Sequence, residues 1–318
     1  MGKHYDNYDY EEAYQKDLNK GIREKAKREF ERKHPLKGPD YEEQYLLQQK
    51  NLEEFELERL LKEGKVDSLY RTTTTKIRNL KTGAEIIEAQ VYPTFGSARD
   101  VPRTARKRES RPSQKNLNDK RARRHLIRLV NINFGPGDIW ATFGWDKLPE
   151  DIDRCRKDIQ NYFKRVKRRR QKLGLDELKY IYVLAYDGYT RPHVHIIMSG
   201  DGMSRDEIEA MWGKCSRPNT KRMQPDEGML FTGLASYVAR NPHGKKRWCC
   251  SKNLVRPSEP TRSYSKFSRK KVNMMVRDHE EMKAQMEKAY PGFKFVDAEV
   301  QYNGVSAAFY IYARLTRS

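Results

Sequence analysis

Apolar residues along this chain follow two periods, and the changes of period mark out its elements. Between Tyr41 and Lys65, Tyr45, Leu46, Phe55, Leu57, Leu60 and Leu61 stand among Glu, Gln and Lys in a helical pattern. His34-Pro35 and Gly38-Pro39 interrupt the region before it. Residues 1–66 therefore read as two charged helices joined by a turn, either a surface hairpin or an oligomerisation arm. Glu85 to Tyr92 (EIIEAQVY) has the composition of a strand. His125 to Phe134 is apolar enough for a buried helix or strand; Gly135-Pro136-Gly137 is a turn, and Asp138 to Phe143 reads as a strand. Ile152, Cys155, Ile159, Tyr162 or Phe163, and Val166 then recur at helical spacing, with Gly174 as the stop. Lys179 to Asp187 (KYIYVLAYD) and His193 to Met198 (HVHIIM) form a predicted β-hairpin. Ser204 to Glu207 is a capping box before Ile208, Met211 and Trp212. A short basic strand is expected near 219–223, and a helix over Gly228 to Asn241, ended by Pro242. Further on, a helix around Arg277 to Ala289 precedes two β-like runs, Phe293 to Val300 and Ala307 to Leu315. Hairpins interleaved with helices predict an α+β fold, with a mainly antiparallel sheet covered on one face by helices.

Four regions follow. Residues 1–66 are the charged helical extension. Residues 67–123 hold a strand and the stretch SARDVPRTARKRESRPSQKNLNDKRARR, nearly free of apolar residues and expected to be a flexible, phosphate-contacting segment or a solvated linker. Residues 124–254 are the α+β core, and residues 255–318 a C-terminal helix and hairpin. Charge sharpens this picture. Across 318 residues, Lys and Arg number 65 against 44 Asp and Glu, a formal charge of +21, with 36% apolar and 34% charged residues. That is too polar for one compact globule of this length, and it favours a polyanionic partner, most simply nucleic acid. No apolar run reaches the ~18 residues of a membrane span. The N-terminus lacks a signal peptide's apolar stretch, and Cys155, Cys215, Cys249 and Cys250 show neither zinc spacing nor a disulfide framework, so a reducing cytoplasm is expected.

Candidate chemistry centres on Pro192-His193-Val194-His195. Two His at i and i+2 on a strand share a face, because side chains alternate. Their imidazoles can share one divalent cation with coordination positions left open, which suits Mg²⁺ or Mn²⁺ bridging to a phosphate oxygen. Alone, the pattern also fits two partly buried imidazoles with no ligand. In Met229 to Val238, Leu230, Leu234 and Tyr237 share a helix face that should pack on the sheet. A tyrosine there is a core aromatic or, beside a metal and a phosphate, a nucleophile.

With these segments in place the chain resembles a known family. NINFGPGDIWATF (131–143), ELKYIYVLAYDGYTRPHVHIIMSGDGMSRDEIEAMWGK (177–214), LASYVARNP (234–242) and KKRWCCSKNL (245–254) occur in the order and spacing of single-tyrosine HUH endonucleases, the Rep-type initiators of rolling-circle plasmids and small phages. Residues 76–133 and the YPGF segment extend the resemblance more loosely toward Rep-like proteins of Gram-positive bacteria and their mobile elements. The resemblance implies an RRM-like antiparallel sheet covered by helices, here with a helical N-terminal extension and a small C-terminal α/β appendage. It implies that His193 and His195 bind the metal and that Tyr237 attacks a phosphodiester of single-stranded DNA at an origin hairpin. The products would be a 5′-phosphotyrosine and a free 3′-hydroxyl, and a later transesterification would rejoin strands. No Walker-type Gly-Lys-Ser/Thr loop is present, so a host helicase and polymerase are the expected partners.

Two positions depart from the family pattern. Ala185 stands where relatives carry an acidic metal ligand, and Asp187, two residues on, is the candidate substitute. Relatives often carry Lys after the tyrosine; here Arg240 follows three residues later, able to hold a phosphate bidentately. Lys245, Lys246, Arg247 and Trp248 form a cationic–aromatic cluster suited to a nucleic-acid strand, and Arg121, Arg123 and Arg124 extend the basic character upstream. Two other functions fit the same residues: an HUH transposase with the same chemistry, and a catalytically silent DNA-binding module.

Overall fold

The computed structural model describes residues 59, 63, 68–95, 112–186, 191–239, 247–303 and 308–317. The helices expected within 1–66 lie outside them, Arg59 and Glu63 apart, as do Asp187, Arg240, Lys245 and Lys246. In chain order the elements are β1 (Ser68–Arg78), β2 (Glu85–Phe95), α1 (Pro112–Asn133), β3 (Ile139–Gly144), α2 (Ile152–Lys172), β4 (Tyr180–Ala185) and β5 (His193–Met198). They continue with α3 (Arg205–Ala210), β6 (Asn219–Arg222), α4 (Thr232–Val238), β7 (Cys249–Cys250) and β8 (Thr261–Ser263). The last are α5 (Arg269–Arg277), α6 (His279–Ala289), β9 (Lys294–Asn303) and β10 (Ala308–Arg317). The fold is α+β, with two five-stranded antiparallel sheets ordered β8-β1-β2-β10-β9 and β6-β3-β5-β4-β7. Among the described residues, no helix is long and apolar enough to cross a membrane.

The chain divides into two compact units. One comprises residues 1–74, 88–103 and 260–315, the other 75–87, 104–259 and 316–318. In the first unit the Thr72, Thr73 and Thr74 positions of β1 pair with Ser263, Arg262 and Thr261 of β8. Tyr70, Val91, Met275, Met286, Ile311 and Leu315 are buried in it. The β-like runs after Tyr290, expected as a small hairpin, are the neighbouring strands β9 and β10, and they join the sheet that contains β1 and β2.

The second unit is built on the β6-β3-β5-β4-β7 sheet. In β5, Val194, Ile196 and Met198 join Ile139, Ala141 and Phe143 of β3 in one apolar cluster with Cys155, Ile159, Tyr162 and Val166 of α2. The opposite parity contributes Ile181, Val183 and Ile197 to a second cluster with Leu126, Leu129 and Val130 of α1 and Ala235 and Val238 of α4. Helices therefore cover both faces, not one as expected. Strands with apolar residues on both parities need two covers, and each fully buried Ile or Phe side chain contributes about 1.5–3 kcal/mol.

α2 begins at Asp151, whose carboxylate accepts from the Arg154 amide at 2.7 Å. It ends before Gly174, which takes the left-handed conformation at φ +69. Residues 112–123, expected to be flexible, are helical and continuous with the apolar 125–133 stretch, so the boundary anticipated at 123/124 falls inside α1.

Candidate functional site

The sheet face that carries His193 and His195 is the one shared with α1 and α4. Register places each residue. Ile197 lies between Trp140 of β3 and Ile181 of β4, His195 between Thr142 and Val183, and His193 between Gly144 and Ala185. β6 extends the rows, with Lys221 opposite Trp140 and Asn219 opposite Thr142.

The two imidazoles meet edge to face, with ring centroids 4.9 Å apart at 85°. His193 Nδ1 lies 3.0 Å from the Arg191 carbonyl. A carbonyl only accepts, so Nδ1 carries a proton, and in the neutral ring Nε2 is the nitrogen with the lone pair. His195 Nδ1 lies 3.0 Å from Thr142 Oγ1. Burial, and secondarily the neighbouring His193 charge, push the His195 pKa down to about 4, so its imidazole is neutral near pH 7. The oriented His193 ring and a neutral His195, whose tautomer Thr142 leaves open because a hydroxyl can donate or accept, could together serve a divalent ion as donors. Among the described residues no group of three His, Cys, Asp or Glu assembles around them. Ala185 pairs with His193 across β4 and β5 and offers no ligating group, and Asp187 lies outside the described residues.

Tyr237 reaches this pair from α4. Its ring lies 5.4 Å from that of His195, at 70°, and 5.9 Å from Trp140, at 87°. Tyr237 is 40% exposed, which makes it an accessible phenol and not the core aromatic of the alternative expectation. The helix is shorter than expected, seven residues long, and Leu230 stands before it at φ 53. The buried stripe is Thr232, Ala235 and Val238, with Tyr237 at its margin. The ammonium of Lys221 lies over the Trp140 ring, 5.6 Å from its centroid.

A seven-residue helix is too short to hold itself, and Phe231 at its N-cap makes no side-chain bond. The missing acceptors come from elsewhere. Asn131 of α1, fully buried, accepts from the Phe231 amide at 3.0 Å and donates to Thr232 Oγ1 at 2.9 Å. Asp226 accepts from the Gly233 amide at 2.7 Å. Asn79 in turn donates to the carbonyls of Asn131 and Phe134, at 2.6 and 2.7 Å, and closes the C-terminus of α1. Pattern reading of the sequence missed Asn131, Thr142, Trp140 and Lys221. Only the Asn-rich stretch at 131–133 offered a signal, since apolar periodicity gives no place to a buried amide.

The other expected site residues are more dispersed. Arg247 is ion-paired with Asp119 of α1. Trp248 donates to the Ala122 carbonyl at 3.3 Å and lies 5.7 Å from His125, so it packs on α1. Arg121 and Arg123 are exposed on α1, and Arg124 is half-buried. No family model matches the chain, and no curated protein or solved structure matches it either.

Proposed function

We propose that this chain is a metal-dependent DNA strand transferase of the single-tyrosine HUH type, an initiator that nicks and rejoins single-stranded DNA at an origin. One observation carries the reading: the Tyr237 ring stacks edge-on against His195, itself paired with His193, so a phenol and two metal-competent imidazoles converge from separate elements. His193 and His195 would hold Mg²⁺ or Mn²⁺, whose charge offsets that of the phosphate oxygens.

The remaining steps belong to the chain and its substrate. Tyr237 Oη forms a bond to phosphorus as the bond from phosphorus to the 3′-oxygen breaks. The phenolic proton passes to solvent, and the leaving oxygen takes a proton to become a free 3′-hydroxyl. One phosphodiester replaces another, so the reverse step rejoins strands without ATP. Trp140 packs edge-on against the phenol ring, and Lys221 holds a positive charge over Trp140 that an approaching phosphate would meet. The 3′-hydroxyl would prime a host polymerase behind a host helicase, in the cytoplasm.

The test uses labelled single-stranded oligonucleotides with Mn²⁺ and a denaturing gel. Wild type should give a labelled protein band that EDTA abolishes. Tyr237→Phe should give none while binding DNA within about twofold of wild type, because the ring and its stacking persist. A normal band from Tyr237→Phe would sink the assignment. His193→Ala and His195→Ala should lower cleavage far more than affinity.

A second reading has its own observation. Ala185 beside His193 leaves the described ligand set at two, which favours a catalytically silent DNA-binding module of the same fold. Binding to origin DNA without any band would select it, and Ala185→Glu is then the first substitution to try.

A further inference from the structure

α2 lies on the sheet face opposite His193, His195 and Tyr237, and its outer surface has no role in the chemistry above. It carries ten Lys or Arg against two Asp. Six of the cations are taken: Arg154, Arg156, Lys167 and Arg169 by carboxylates, Arg165 and Arg170 by carbonyls. The other four, Lys157, Lys164, Arg168 and Lys172, are exposed and have no hydrogen bond or ion pair among the described residues.

These four form one stripe. At 100° per residue they fall within about 80° of arc, and at ~1.5 Å per residue they span ~22 Å. Lys164, Arg168 and Lys172 are successive i,i+4 neighbours of like charge, an arrangement that disfavours the isolated helix. The last two sit near the helix C-terminus, where the macrodipole offsets part of the cost. A bound polyanion relieves the rest.

We propose that this stripe is a second nucleic-acid surface, which holds a double-stranded DNA stem by its phosphates without reading sequence. Charge complementarity selects the partner's sign, and the stripe's texture selects its kind. Asn161 lies within the stripe and Gln160 and Gln171 flank it, side chains able to hydrogen-bond phosphate and sugar oxygens. A membrane-surface helix needs an apolar face beside its lysines, whereas the apolar face of α2 is buried against β3, β4 and β5. The surface is independent of Tyr237, so a stem gripped here leaves its unpaired loop available to the opposite face.

The experiment measures fluorescence anisotropy of the full chain in EDTA, with a labelled hairpin of arbitrary stem sequence, over a salt series. The variant is Lys157→Gln, Lys164→Gln, Arg168→Gln and Lys172→Gln together. The control removes equal charge from α5 and α6: Lys270→Gln, Arg277→Gln, Lys283→Gln and Lys288→Gln. Each lost phosphate contact lowers the slope of log K against log salt by ~0.9, so the four-fold variant should lose about 3.6 in slope and at least ~10-fold in affinity near 0.1 M salt. The control should lose less than one in slope. The variant's thermal midpoint should equal or exceed that of wild type; should it misfold, Lys164→Gln and Arg168→Gln singly should each lower the slope by about one. Equal losses in variant and control, or wild-type preference for phosphatidylserine vesicles over the hairpin, would overturn the proposal. Adduct formation on an unpaired oligonucleotide should be unchanged in the variant, which separates this outcome from failure of the Tyr237 reading.

Discussion

A half-buried imidazole can accept a cation only while it is neutral, and His195 is held neutral by its surroundings. Its pKa in the folded chain is about 4, against an ordinary 6.5. Between those values the unfolded chain binds the proton and the folded chain does not. The contribution of His195 to stability is therefore complete above the unfolded value and is lost as pH falls from about 6.5 toward about 4. In EDTA, urea midpoints should drop across that window in wild type and drop less in His195→Gln. Equal pH dependence in the two proteins would show that burial of His195 is not what sets the trend. That both imidazoles share one face was legible in the sequence from period-two alternation, whereas Tyr237 was singled out only through the resemblance to a known family. Thr142 and Trp140 were not legible, because their place beside His195 and Tyr237 depends on the β3–β5 register and on where α4 lands.

At the scale of elements, α4 decides whether the site exists, and its position rests on a residue of another helix. Asn131→Ala leaves the Phe231 amide and Thr232 Oγ1 without their partner inside the second unit. We expect a loss of about 1–3 kcal/mol in urea unfolding. Adduct formation should fall further than DNA affinity, because Tyr237 loses its placement while the basic surfaces persist. Asn131→Asp keeps the acceptor for Phe231 and should recover part of the stability; no recovery would place the role of Asn131 in its amide donor. Long apolar stripes such as that of α2, and alternating strands such as β5, could be read from sequence because their own residues define the period. β1 could not: its Thr72-Thr73-Thr74-Thr75 run hides the alternation, although Thr72 and Thr75 are buried. The first turns of α1 were equally obscure, since polar and basic residues there resemble a linker, and the helix is secured by packing of 126–132 further along.

At the scale of the whole molecule, a formal charge of +21 acts on folding and on binding with opposite signs. The C-terminal runs could not be assigned to the sheet of β1 and β2 by local pattern, because that pairing joins segments at opposite ends of the sequence. The charge, by contrast, was fully legible, and its consequence does not depend on topology. Self-repulsion among unpaired cations disfavours the compact state, and salt screens it as the Debye length shrinks from ~10 Å at 0.1 M to ~3 Å at 1 M. The free protein should therefore gain thermal midpoint as NaCl rises from about 0.05 to about 0.5 M. Nucleic-acid affinity should fall steeply over the same range, because counterion release weakens as salt accumulates. At low salt, a DNA hairpin that occupies the folded cationic surfaces, as proposed, should raise the midpoint by more than NaCl does. A midpoint that falls with salt would mean that ion pairs such as Arg314–Asp297 and Lys81–Asp138 outweigh the repulsion. The excess charge would then be a feature already balanced within the fold, with no partner needed to offset it.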